Sequence, residues 1–280
     1  MAVANAAATL PTNTPQDDQA QMSKPPPIIQ QIFTEYDRIS LEGYLKVAAE
    51  TKADGSIITQ VDRESSRMVL DGLIHHYPDY GVISEEEPIP YLPEARFKWV
   101  VDPLDGTAMY SRGFPVWGMG IGLMDGILPV AGFMRFPALG ETYTYWESRM
   151  ELNRVELNPV RPPVWPDNTN LMIGSKLHKQ MSLNRLSPYK LRDFGSTLYH
   201  VLVVALGKAE AVITPACSLW DLAAALPFTR SRGMVERHLN GHSLDLDALV
   251  SNPNGGYKLK LPVVIGYPDE VDRVLNLLAG

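Results

Sequence analysis

The sequence predicts a layered fold in two halves, α+β first and α/β second, joined near residue 160. Three observations carry this. A helical apolar period opens the ordered chain, short strands with Asp-Gly turns follow it, and strand and helix then alternate to the C-terminus.

Residues 1–27, rich in Ala, Thr, Pro, Asn and Gln and closing on Pro25-Pro26-Pro27, are expected to form a disordered tail. They lack the basic start and continuous apolar stretch of a secretory signal. From Ile28 to Glu50, Ile28, Ile29, Ile32, Phe33, Tyr36 and Ile39 recur at helical spacing. Gly55 marks a loop, and a second helix is expected from near Asp62 to His76, stopped by Pro78. The segments "YGVIS", "KWVVD", "WGMGIGLM", "LPVAGFMRF" and "ETYTYWE" then read as strands, and the Asp125-Gly126 turn favours antiparallel pairing. These elements make a first half over 28–158. In the second, 159–280, "RPPVWPDN" reads as a linker, "LMIGS" and "EAVIT" as strands, and 197–208, 220–231 and 269–279 as helices. No internal repeat is present.

A chain of 280 residues, 45% hydrophobic and 20% charged, can bury a sizeable core. The net charge of −7 disfavours nucleic acid or an anionic membrane as a partner. No apolar run is long enough to span a bilayer. Cys217 is the only cysteine, which excludes an intrachain disulfide and suits a reducing cytoplasm.

The acids gather where strands end. Glu85, Glu86 and Glu87 follow one predicted strand, Asp102 and Asp105 follow another, Asp62 closes "IITQVD", and Asp221 opens an apolar helix. Each has an ordinary explanation: Asp62 and Asp221 as helix N-caps, the glutamates as a solvated turn, Asp105-Gly106 as a turn. Together they suit hard divalent cations such as Mg2+, which take oxygen ligands, and a two-ion site needs several carboxylates. A helix starting at Gly106-Thr107 would also direct free N–H groups at a phosphate. An aspartyl-phosphate mechanism is disfavoured, because that motif spaces its aspartates by one residue, whereas Pro103 and Leu104 intervene here.

"DPLDGT", preceded by "ISEEE" and followed by "WDLAAAL", resembles the inositol monophosphatase superfamily of Mg2+-dependent, lithium-sensitive phosphatases, over Lys52 to Leu226. The resemblance implies a layered αβαβα sandwich of the inositol monophosphatase/fructose-1,6-bisphosphatase type. It also implies the roles. Glu85, Asp102, the Leu104 carbonyl, Asp105 and Asp221 match metal ligands, with Glu86 beside them. Thr107, with Asp62 and Glu85, matches the group that orients the attacking water. Gly106, Thr107, Gly195, Ser196 and Asp221 match positions that meet phosphate or substrate. A homodimer is implied as well.

The chain departs from the pattern in its leaving-group pocket. Inositol-specific members carry a Glu seven residues before the last aspartate, where this chain has Thr214, short and neutral. Thr214 is therefore expected to line the substrate site and to discriminate weakly, and Thr214→Glu to gain selectivity for an inositol ester. Ala108-Met109-Tyr110 replaces the frequent Thr-Asn-Phe, and "DGILPVAGFMRFPALGET" is similar to the histidinol-phosphatase-like branch. His75 and His76 read as surface residues and Cys217 as a packed side chain; Arg112 and Lys176 suit either phosphate or solvent. The expected function is hydrolysis of a small polyol or sugar phosphomonoester. The alternatives are histidinol phosphate, 3′-phosphoadenosine 5′-phosphate or fructose 1,6-bisphosphate, or a catalytically silent homologue that binds protein or RNA.

Overall fold

The computed structural model describes residues 24–279 except 47, 53–54, 162–168 and 252–256. Most of the expected tail and nearly all of the expected linker lie outside the described residues. Helix α1 (Pro27–Gly43) starts on Pro27, whose missing N–H costs nothing at a first helical position. It ends at Gly43, seven residues short of the expected Glu50. Leu45 takes a positive φ of 67°, and Glu50–Thr51 (β1) instead pairs with Ile57–Ile58 (β2) across Gly55, whose φ is 81°. Helix α2 (Gln60–His76) begins as expected, but Asp62 is not its N-cap. Thr59 is the cap, and Asp62 is the N3 partner of a capping box.

Eight strands follow in one sheet. They are β3 (Gly81–Ser84), β4 (Glu87–Tyr91), β5 (Phe97–Asp105), β6 (Gly118–Asp125), β7 (Leu128–Phe136), β8 (Glu141–Trp146), β9 (Arg149–Leu152) and β10 (Val155–Glu156). Their order is β10-β9-β8-β7-β6-β5-β3-β4, an antiparallel meander from β5 to β10, with β3 parallel to β5. Glu85 and Glu86 are thus the turn of a β3–β4 hairpin, and Glu87 opens β4 opposite Ser84. Helix α3 (Thr107–Ser111) leaves the end of β5.

A second sheet holds β11 (Asn170–Ile173), β12 (Lys190–Arg192), β13 (Ala211–Thr214), β14 (Val235–His238) and β15 (Val263–Gly266) in the order β12-β11-β13-β15-β14. Its helices are α4 (Thr197–Ala205), α5 (Trp220–Ala223), α6 (Leu226–Arg230), α7 (Leu246–Val250) and α8 (Pro268–Ala279). The single helix expected over 220–231 is split into α5 and α6, because Pro227 cannot donate to the preceding turn.

Side-chain alternation sorts these elements into layers. On β5, Trp99 and Val101 pack with Ile32, Phe33 and Leu73 of α1 and α2, whereas Val100 turns the other way to join Leu198, Leu222 and Phe228 of α4 to α6. On the second sheet, Met172, Val212 and Ile265 face that same middle layer, and Leu171, Ile213 and Val264 face Val271 and Val274 of α8. The stack is αβαβα. One hydrophobic cluster runs through its middle helices into both sheets.

Candidate functional site

Aspartates at i and i+3 of a regular strand point to opposite faces. Strand β5 resolves this with a bulge. Asp102 pairs with Gly120 and Asp105 with Gly118, so three steps on β5 face two on β6. The strand does not finish at Asp102; it continues, kinked, to Asp105, and the extra residue returns both carboxylates to one side. Pro103 donates nothing to the ladder at the kink, and the Leu104 N–H is taken by Asp102 Oδ1 at 3.1 Å.

The third carboxylate arrives through glycines. A Cβ on Gly132 would lie 1.9 Å from the Ala224 carbonyl oxygen, and one on Gly122 would lie 2.7 Å from the Ala223 carbonyl carbon. Bare backbone at these positions lets α5 rest directly on β6 and β7, which sets Asp221 beside β5. Asp221 is not an N-cap either. It stands inside the first turn of α5, and its Oδ2 accepts from the Ser218 N–H at 2.5 Å.

Asp102, Asp105 and Asp221 each offer an oxygen within 4.8 Å of the others. Burial and mutual repulsion disfavour their charged forms. Burial, then the Glu85 and Asp105 charges, push Asp102 well above the carboxylate range. Burial raises Asp221 to about 7, with the Ser218 N–H and the charges of Lys176 and Lys258 pulling against it. Asp105 rises only to about 6, because the Ser196 hydroxyl and the Thr197 and Leu198 N–H groups stabilise its anion. Three hard oxygen donors held together against their own repulsion fit a hard divalent cation.

Beside the triad, Asp62 and Thr107 form a pair. The Thr107 hydroxyl has Asp62 Oδ1 at 3.0 Å and the Leu104 carbonyl at 2.9 Å. Asp62 Oδ2 accepts from the Thr59 N–H at 2.7 Å and the Thr59 hydroxyl at 2.6 Å. Burial still raises the Asp62 pKa despite these bonds. Gly106 precedes α3 in the left-handed region at φ 82°, and a Cβ there would lie 3.0 Å from the Val116 carbonyl oxygen. As the helix begins, the Gly106, Thr107 and Ala108 N–H groups have no partner within it.

Glu85 stands outside the three-oxygen cluster. Lys52 holds it at 3.4 Å and Glu86 at 2.7 Å. Burial and the Asp221 charge nonetheless raise Glu85 to about 7, against the pull of Lys52. Its charge in turn bears on Asp102, which places Glu85 at the rim of the same site. Of the cations left open by the sequence, Arg112 is exposed, while the charge of Lys176 reaches Asp221. His75 and His76 are exposed, and burial raises the Cys217 thiol well above its usual range.

Of three expected substrate contacts, Thr214 and Ser196 are buried, and Gly195 is half-buried with its N–H already taken. Thr214 is 1% exposed, its hydroxyl directed at the Val263 carbonyl 3.5 Å away, because β13 pairs there with β15. It therefore does not line an open leaving-group pocket. Thr214→Glu is expected to bury a carboxylate and destabilise the protein by several kcal/mol, rather than to create inositol selectivity. Thermal melting checks this, and an unchanged melting temperature would restore the earlier expectation. Ser196 is fully buried as the N-cap of α4, and its hydroxyl donates to Asp105 Oδ2. It supports a carboxylate instead of meeting substrate. The Gly195 N–H is taken by Asp193 Oδ1 at 2.8 Å, and a Cβ on Gly195 would sit 2.6 Å from Met109 Cγ. No motif in the sequence singles out Lys52 or the bracing of Asp105 by α4. Thr59, by contrast, was legible in the spacing Thr59-x-x-Asp62.

The chain is 29% identical over 215 residues to a histidinol-phosphatase of Chlorobaculum parvum, covering 73% of this chain and 82% of that one. It is 26% identical to the 3′(2′),5′-bisphosphate nucleotidase CysQ of Escherichia coli, covering 75% and 88%. Its fold superposes on staphylococcal IMPase-I complexed with products at a TM-score of 0.76 and 18% identity, covering 93% of this chain and 95% of that one. Since residues 27–259, which contain the bulged aspartates, the Asp62–Thr107 pair and Asp221, match the model of the inositol monophosphatase family, the chain belongs to that family.

Proposed function

We propose that this protein is a Mg2+-dependent phosphomonoesterase acting on small polyol, sugar or related phosphates, in the cytoplasm and as a homodimer. The observation that carries the chemistry is the triad of Asp102, Asp105 and Asp221, with oxygens within 4.8 Å of one another on a strand and a helix. The complete set of carboxylates weighs against a silent homologue. The homodimer rests on the resemblance and the cytoplasm on the cysteine content.

The triad would hold the cation, with Glu85 and the Leu104 carbonyl as neighbouring donors. Bound there, a divalent ion supplies Lewis-acid stabilisation of phosphoryl oxygens and a water of lowered pKa. The rest is done by the chain. Thr107 has one hydroxyl proton and two acceptors in reach, so donating it leaves lone pairs that fix the attacking water by accepting its hydrogen. Asp62, clamped by Thr59, has its pKa raised by burial, which makes it a stronger proton acceptor than an ordinary aspartate. The first-turn N–H groups of α3 accommodate phosphate oxygens.

A second reading, histidinol phosphate as substrate, is favoured by the 29% relatives from Chlorobaculum parvum and Mycobacterium tuberculosis, both histidinol-phosphatases. Phosphate release from myo-inositol 1-phosphate, histidinol phosphate, 3′-phosphoadenosine 5′-phosphate, fructose 1,6-bisphosphate and glycerol 2-phosphate separates the readings. EDTA is expected to abolish release and Mg2+ to restore it; full activity in EDTA overturns the proposal. Li+ is expected to inhibit, as in the LiCl-soaked inhibitory complex of staphylococcal inositol monophosphatase-1.

A further inference from the structure

Asp105 lies in the first half of the chain, yet its carboxylate is braced by the second. Its Oδ2 accepts from the Ser196 hydroxyl and from the Leu198 N–H at 3.1 Å, and its Oδ1 from the Thr197 N–H at 3.1 Å. The Ser196 hydroxyl also accepts the Tyr199 N–H at 3.1 Å, which fixes where its own proton points. This bracing depends on the turn that leads into α4. Two side chains hold that turn. Asp193 Oδ1 takes the Gly195 N–H at 2.8 Å, and His200 Nε2 takes the Phe194 N–H at 2.7 Å.

His200 belongs to α4 itself, one turn past Ser196, and is 2% exposed. Accepting a backbone N–H through Nε2 requires the neutral ring, with its proton on Nδ1. Burial, opposed by the nearby Asp193 charge, lowers the ring pKa to about 4, so the acceptor is present across the neutral range. A histidine with no route to substrate is thus spent on the backbone of a turn that ends at a metal-site carboxylate.

We infer that His200 is a positioning residue for the metal centre, latching residues 193–195 so that Ser196 and the start of α4 hold Asp105 in its ligand geometry. The inference rests on the metal-dependent phosphatase reading. Residues that orient metal ligands through hydrogen bonds typically change metal affinity or activity by about 10–100-fold when altered.

The test is Mg2+ binding to the full chain by titration calorimetry, with kcat and KM measured in parallel. His200→Phe removes the acceptor and is expected to weaken Mg2+ binding by about tenfold or more and to lower kcat more than it raises KM. His200→Gln, whose Oε1 reaches the place of Nε2, is expected to restore Mg2+ affinity to within about threefold of the original. The exposed Asp193→Ala acts on the same turn without touching the core and is expected to weaken Mg2+ binding in the same direction as His200→Phe. Original Mg2+ affinity in His200→Phe overturns the inference, as do equal losses in the Phe and Gln variants. Should His200→Phe fail to fold, unchanged Mg2+ affinity in Asp193→Ala overturns it. Absence of Mg2+ binding by the unaltered protein would instead remove the phosphatase reading itself.

Discussion

Asp102→Asn is expected to abolish turnover while raising the stability of the metal-free protein, whereas Asp105→Asn is expected to lose both. Each substitution removes a charge from the triad, so kcat should fall by about 10³-fold in either case. The stabilities diverge because the two carboxylates are held differently. Asp102 is 1% exposed, takes only the Leu104 N–H in compensation, and is opposed by the charges of Glu85, Asp105 and Asp221. An asparagine there keeps the acceptor and discards the charge. Asp105 spreads three donors over two oxygens. Asparagine has one acceptor oxygen, so a backbone N–H at the start of α4 is left facing an NH2 group, at about 1–3 kcal/mol. Melting in EDTA should therefore move up for Asp102→Asn and down for Asp105→Asn. Asp79→Asn, exposed and outside every motif, should alter neither activity nor melting. Loss of activity at Asp79 equal to that at Asp105 would mean that a stability effect has been mistaken for a catalytic one.

Stabilisation by Mg2+ is expected to grow as pH rises from 5 to 8. Glu85 and Asp221 are raised to about 7 and Asp105 to about 6, from ordinary carboxylate values of 4.5 and 3.8. A carboxylate with a raised folded-state pKa binds its proton more tightly in the native than in the unfolded protein. Its stabilising contribution is complete at acid pH and is lost as pH climbs from about 4 through about 7. The metal-free protein should accordingly weaken across that window, as the triad ionises without a counter-charge. A cation needs the ionised donors, so its binding strengthens over the same range and releases protons. His200 works in the opposite sense. Its pKa of about 4 lies below the ordinary 6.5, so its contribution is lost as pH falls through that interval. Being common to both states, it cancels in the difference between melting with Mg2+ and melting with EDTA. A difference that is flat between pH 5 and pH 8 would show that the triad does not hold the ion.

Much of the site was legible in the residues themselves. "DPLDGT", "ISEEE" and "WDLAAAL" picked out Asp102, Asp105, Glu85 and Asp221, and Asp62 was found with Thr107 through the resemblance those motifs carry. Short apolar runs bounded by turns located β3, β5, β6 and β7, since a strand buried on two faces reads as apolar on both. Boundaries that depend on competing partners were missed. Residues 50–51 could have continued α1, but pairing with 57–58 across Gly55 offered their backbone another set of hydrogen bonds. The resemblance implies a pocket residue at Thr214, seven before Asp221; its pairing with Val263 turns its hydroxyl into the sheet.

Local chemistry in the chain determined which residue types were available: hard oxygen donors at strand ends, a capping box at Thr59, a proline that splits the helix after Asp221. Whether those donors meet was settled only in three dimensions. A one-residue bulge on β5 turned Asp105 to the side of Asp102, glycines on β6 and β7 let α5 bring Asp221 against them, and the first turn of α4 braced Asp105 from the far half. The reason is physical. Repulsion among three buried carboxylates opposes their assembly at every step, so only packing energy gathered over the whole layered core can hold them within reach of one ion.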